Sequence, residues 1–207
     1  MASKIKTGET YSARKFRNAY DRHCLPVLVS AGCLVQVETP RGKPRRWEVV
    51  GPMPGPDAYL DARRAHYSET LTSLIDDGYS EAEAVRDELQ EWYDGMPENL
   101  QQGDLASTLE ESASTLDNMT CEQPEIPEGL DADTLTAEFF PSKGVSRSDR
   151  LADARSRLET AEAVLQEWLL DPKNGDEDLR GEVEEVIQTL SDGSRELEDV
   201  ECPSMFG

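Results

Sequence analysis

The chain of 207 residues contains no apolar run near the ~20 residues a membrane helix needs, and its opening MASKIKTGETYS lacks the apolar stretch of a secretory signal. A cytoplasmic protein of a host cell, with no membrane contact, is the expectation. Aromatic residues make up only 6%, so any core must be mainly aliphatic. The four cysteines, Cys24, Cys33, Cys121 and Cys202, form no CxxC pair, which favours reduced thiols over a disulfide framework. There are two histidines, His23 and His66, and no GxSxG, HExxH or glycine-rich phosphate loop. Catalysis of proton or group transfer needs a base held against a nucleophile, and these residues supply none. No enzymatic activity, catalytic residue or cofactor is expected.

Metal ligation is weakly served too. His23 beside Cys24, with Cys33 nine residues on and His66 or a distant Cys as a fourth ligand, matches no closed zinc spacing. DPKNGDED (171–178) offers oxygen ligands and a glycine but lacks the bidentate Glu of a calcium loop. No metal site is expected.

What the chain has in abundance is negative charge, a net of −22. Its distribution is uneven, because residues 1–50 hold ten Lys or Arg against four acids, a net of +6, which leaves −28 for the remainder. A basic head precedes a strongly acidic body. Such a body repels nucleic acid and anionic lipid and attracts basic protein surfaces over about a Debye length, roughly 8 Å at physiological salt.

The fold expected from periodicity is mainly α, α+β overall, with a small N-terminal helix and β-hairpin module followed by two antiparallel helical hairpins. Ser12 is placed to cap a helix carrying Phe16, Ala19, Tyr20 and His23, which Pro26 bends or ends. CLVQVE (33–38) and RRWEVV (45–50) alternate around a Pro/Gly turn and predict a hairpin, with Cys33, Val35 and Val37 on one side. The module spans 1–51, and the stiff GPMPGP places a linker at 52–56. An acidic helical domain over 57–120 follows, with one helix over 57–76, a second starting at the capping box Ser80–Glu83, and a third from about Asp104 to Met119. Residues 121–146, with several prolines, read as an extended connector pinned by Phe139 and Phe140. A second acidic hairpin occupies 147–201, with helices over about 148–170 and 176–200, and 202–207 is a tail.

The two hairpins share a design. Leu-Gln-Glu-Trp occurs at 89–92 and again at 165–168. In the later copy Leu151, Ala154, Leu158, Ala161, Leu165 and Trp168 form a heptad seam, answered by Leu179, Val183, Val186, Leu190, Gly193, Leu197 and Val200. In the earlier copy Ala82, Val85, Leu89 and Trp92 are answered by Leu105, Leu109, Ser112, Leu116 and Met119. Duplication of one hairpin explains the pattern; convergence of acidic amphipathic helices explains it as well.

Two surfaces carry the functional expectations. In PRGKPRRW (40–47), the residues Arg41, Lys43, Arg45, Arg46 and Trp47 have the look of a small winged nucleic-acid contact, four cations for phosphates and an aromatic near a base or sugar. The plainer alternative packs Trp47 into a small core and docks the arginines on acidic surface. Four cations give weak, salt-sensitive binding, so nucleic acid is a minor partner through this module. The second surface is DEDLRGEVEE (176–185), where Asp176, Glu177, Asp178, Glu182, Glu184 and Glu185 against Arg180 rise about 15 Å along a helix. That density approaches half of a duplex, which carries a charge per about 1.7 Å. Three readings suit these acidic helices: a halophile's solvated surface, a scaffold or homodimer with heptad seams paired between chains, or imitation of nucleic acid toward a basic protein partner.

DELQEWYDGMPENLQQGD (87–104), the acidic helix beyond it and the terminal DVECPSMFG (199–207) resemble small uncharacterised proteins of tailed bacteriophages and related mobile elements. In those proteins a Trp-containing acidic helix precedes a Pro-Glu-x-Leu-Gln turn, and the chain ends in a Pro-x-Met-aromatic-Gly tail. Cys202 and Ser204 depart from the larger residues or glycine expected at those tail positions. The resemblance implies a phage accessory protein, a group whose acidic members often inhibit host nucleic-acid machinery, and carries over no catalytic residues. The expectation is thus a non-enzymatic inhibitor of anti-CRISPR or anti-restriction type that binds a basic nucleic-acid-handling complex. Its alternatives are a regulator that binds nucleic acid through the basic module and a scaffold protein.

Overall fold

Three short helices and a small three-stranded sheet bury one core in which Phe16 and Tyr59 join aliphatic residues, and the heptad seams of four long helices bury a second, mainly aliphatic one. A computed structural model describes residues 5–142 and 144–203. The chain divides into two units after Ser68, and each has its own buried cluster.

The N-terminal unit begins with β1 (Thr10–Ser12), followed by α1 (Ala13–Ala19), α2 (Cys24–Ser30), β2 (Leu34–Val37), β3 (Arg46–Val49) and α3 (Pro56–Tyr67). The predicted hairpin is present, with Leu34 opposite Val49 and Val37 opposite Arg46. A strand the sequence did not announce, β1, pairs antiparallel with the other edge of β3, placing Tyr11 opposite Trp47 and giving the order β1-β3-β2. The inward side of β2 differs from expectation: Leu34 is buried, whereas Val35 is 52% exposed. Val49 sets this phase, because its core-facing side chain fixes which face of its partner Leu34 turns inward.

The helix expected around Phe16 is two. Ser12 sits at the N-cap of α1 with extended backbone, but its side chain makes no capping bond. The chain turns at residues 20–23, where the Asp21 carboxylate accepts from the His23 amide at 2.7 Å. Pro26 then lies in the first turn of α2, where its missing N–H goes unfelt.

The boundary expected at 52–56 lies instead after residue 68. The Pro/Gly stretch belongs to the N-terminal unit because it is tied down there: the Tyr20 hydroxyl donates to the Pro54 carbonyl at 3.2 Å, and Met53 packs on the core. Past it, α3 contributes Tyr59, whose ring is buried and whose hydroxyl donates to Asp21 at 2.8 Å. With twelve Lys and Arg against six acids, residues 1–68 still carry +6.

The C-terminal unit contains α4 (Leu71–Asp94), α5 (Asp104–Cys121), α6 (Arg147–Leu170) and α7 (Glu177–Asp199), and β4 (Ser68–Thr70), which begins on the last residue of the N-terminal unit, pairs with β5 (Thr136–Glu138) in a small sheet. The two predicted helical hairpins are α4 with α5 and α6 with α7, and α4 also packs along α6. The later seam is buried from Leu151 to Leu165, with Trp168 half-buried. In the earlier hairpin Leu105 is 42% exposed and Ala106 takes its inward place. The seams are filled by contacts within the one chain.

The break expected between 76 and 80 is absent, and α4 runs straight through Ser80. Its N-cap is Thr70, whose hydroxyl accepts from the Ser73 amide at 3.1 Å. Gly78 does not end the helix because it lies against α6, where a Cβ would stand 2.8 Å from Leu158 Cδ2. The connector is extended as expected. Phe139 is buried, with the Arg157 guanidinium 4.3 Å from its ring centre, and Leu130 and Ala132 join the core.

Candidate functional site

The arginines of the C-terminal unit are engaged inside it. Arg86 holds Glu83, Asp87 and, at 3.0 Å, Asp117 on α5. Arg150 bridges Glu81 and Glu88 of α4, Arg155 reaches Glu198 of α7 at 3.1 Å, and Arg157 reaches Glu69 at 3.2 Å. The paired guanidiniums hold the Glu88 carboxyl below its ordinary pKa, Arg150 first and Arg147 after it. Arg180, the one cation within the acidic stretch, donates to the carbonyls of Leu169 at 2.6 Å and of Asp171 and Asn174 at 3.1 Å. A guanidinium therefore occupies the carbonyl cluster of the DPKNG turn.

Of the six acids predicted as a partner-binding set, Asp176 serves the fold, because its carboxylate caps α7 by accepting from the Leu179 amide at 3.0 Å. Glu177 and Asp178 fill the first turn, where the helix dipole favours negative charge. Glu182, Glu184 and Glu185 are exposed, and none of the five after Asp176 forms an ion pair among the described residues. They do not share one face, since Glu184 lies about 200° around the helix from Glu182.

The structure adds two acids that the sequence did not single out. Glu182 and Glu185 face the connector residues Glu125 and Glu128 across a groove of about 430 Å³, which Ile126 and Val186 also line. Pro124 and Pro127 keep this connector stretch extended, which is the local signal in the sequence; that it lies beside α7 is a tertiary fact.

Arg41, Lys43, Arg45 and Arg46 are exposed, but Trp47 is half-buried against the N-terminal core, so the plainer alternative describes the tryptophan. Lys43 follows a tight turn closed by its own amide on the Pro40 carbonyl at 3.0 Å, with Gly42 at φ 85°. Lys43 and Arg46 share a groove of about 720 Å³ with Lys15 and Tyr11, both unflagged by the sequence. Arg46 is held there by donating to the Thr10 carbonyl at 2.8 Å.

Cys24 and Cys33 are buried, which raises both thiol pKa values, and His66 meets Ser30 at 3.2 Å. Among the described residues no three His, Cys, Asp or Glu side chains form a metal-holding group. No helix among them is long and apolar enough to cross a membrane. The tail positions Ser204 to Gly207 of the phage-like pattern lie outside the described residues.

No family model, no curated protein and no solved structure matches the chain.

Proposed function

We propose that this chain is a non-enzymatic binding protein whose acidic helical unit docks on a cationic surface of a nucleic-acid-handling complex and blocks it, as an inhibitor of anti-CRISPR or anti-restriction type. The observation that carries the reading is the groove between the connector and α7, with Glu125 and Glu128 on one wall and Glu182 and Glu185 on the other. Its apolar residues, Ile126 and Val186, suit the methylenes of an arginine or lysine, while the surrounding carboxylates suit the cation at the tip. A unit carrying −28 also accelerates the approach of any basic partner.

Affinity capture from a host lysate, with elution by duplex DNA or by raised salt, tests the reading. The captured protein should be a basic nucleic-acid-binding one that DNA displaces. Replacing Glu125, Glu128, Glu182 and Glu185 by Gln together should weaken its binding by about tenfold. Capture that survives both excess DNA and high salt, or that the fourfold variant leaves unchanged, overturns it.

A further inference from the structure

The groove at the basic hairpin stands independently of the acidic reading. We infer that the N-terminal unit grips the phosphate backbone of a nucleic-acid duplex through Lys15, Lys43 and Arg46, without reading bases.

Three cations from distant parts of the sequence meet there: Lys15 from α1, Lys43 from the turn between β2 and β3, and Arg46 from β3. No acidic side chain lines the groove, and none of the three cations forms an ion pair among the described residues. Two of them are held in place. Arg46 is pinned to the Thr10 carbonyl, and Lys43 is presented by the turn whose left-handed position Gly42 fills. The unit's order also suits a duplex. A strand, two short helices joined by four residues, and a basic hairpin whose second strand lies against the first strand follow the element order of a helix-turn-helix with a wing, a likeness of order only.

What the second helix and the hairpin expose favours phosphate over bases. A base-reading helix presents amides or guanidiniums to the major groove. The exposed residues of α2 are Pro26, Val29 and Ser30, which offer no bidentate partner for a base. Single-strand binding relies on exposed aromatic faces for stacking. Here Trp47 packs on the core, and Tyr11 packs edge-on against Phe16 with its hydroxyl held by Glu9. Phosphate contact is what the three groove cations are placed to make, and it is indifferent to sequence.

The test uses the full chain with labelled mixed-sequence DNA duplex, RNA duplex and single-stranded DNA, titrated between about 50 and 200 mM salt. A duplex should be retained at the low end irrespective of its sequence, with log affinity falling against log salt at a slope of about −3 for three neutralised phosphates. Which duplex is held tighter identifies the source of the phosphates. Lys15→Gln and Lys43→Gln should each reduce the slope by about 1, while Arg45→Gln, beside the groove but outside it, should leave it unchanged. Because Lys43 is exposed on a turn, its variant keeps the fold, which circular dichroism checks. Absence of duplex retention at low salt, an unaltered slope in both lysine variants, or tighter binding of single strands overturns the inference.

Discussion

Leu158 of α6 fills the notch that Gly78 leaves on α4. A Cβ at Gly78 would stand 2.8 Å from Leu158 Cδ2 and 3.4 Å from the Ala154 carbonyl oxygen. Leu158 is fully buried and its other methyl faces Gly193 of α7, so it can yield only by repacking between the two helices. Two glycines on two helices thus receive one leucine, and the pair sets how closely α4 approaches α6.

Gly78→Ala should therefore destabilise the C-terminal unit by about 1–3 kcal/mol through overpacking, although alanine is the better helix former. Gly181, in α7 with open space around its Cβ position, is the control. Gly181→Ala should stabilise by about 0.5–1 kcal/mol. Urea denaturation followed by circular dichroism reads both, and a stabilising Gly78→Ala would refute the packing account.

Arg180 should matter for the bend between α6 and α7 rather than for the net charge. Arg180→Ala removes the guanidinium donors from the carbonyls of Leu169, Asp171 and Asn174, of which Asp171 keeps the Asn174 amide, and this predicts a loss of about 1–3 kcal/mol. Arg180→Lys keeps the charge, but its single nitrogen cannot occupy both guanidinium nitrogen positions, so it should recover only part of the loss. Full recovery by lysine, measured by thermal melting, would show that charge alone is at work.

Phe139 anchors the connector, buried beneath the Arg157 guanidinium that also pairs with Glu69. Phe139→Ala should cost about 3–5 kcal/mol and raise hydrogen exchange in β5 and the connector. Phe140→Ala, at a position only half-buried, should cost less.

Stability should respond to acid in two opposite ways. Glu196 has its carboxyl pKa raised by burial and then by Glu122 and Asp192, and its Oε2 is buried without a hydrogen-bond partner. Its folded pKa lies above the unfolded one, so between the two values the folded state binds more protons and stability falls as pH rises. The penalty is complete above the raised folded value and absent below the ordinary one. Glu196→Gln should therefore stabilise the protein near neutrality and remove this part of the pH dependence. Glu88, lowered by Arg150 and Arg147, runs the other way: its contribution is present above the unfolded value and is lost as pH falls through the folded one. Glu88→Gln should destabilise near neutrality and flatten the acid limb. Melting curves from neutral to acid pH for both variants separate the two effects.

Local signals announced most of the long helices. The Ser146 hydroxyl accepts from the Asp149 amide, and the Asp149 carboxylate answers the Ser146 amide, starting α6 within a residue of expectation. The same kind of signal misled at Ser80, because α4 continues once Gly78 meets Leu158 and burial along the helix outweighs a capping box. Strand β1 was illegible since three residues have no period of their own; Tyr11 becomes a strand residue only when Trp47 lies opposite it.

The two Leu-Gln-Glu-Trp copies show the same limit at the scale of side chains. Leu89 and Leu165 are both fully buried, as their seams require. The tryptophans are used differently: Trp92 lies under Arg147 at 5.2 Å, whereas Trp168 lies over the Gly175 turn, where a Cβ would come within 2.9 Å of its ring.

The sequence by itself determined the opposed charges of head and body, the hairpin, and the seams of the long helices, because charge is additive and helical period is local. Only the tertiary structure decided that Glu125 and Glu128 face Glu182 and Glu185, that Lys15 joins Lys43 and Arg46, and that the unit boundary lies after Ser68. Each of these depends on which surfaces bury one another across tens of residues, and neither spacing nor propensity carries that information.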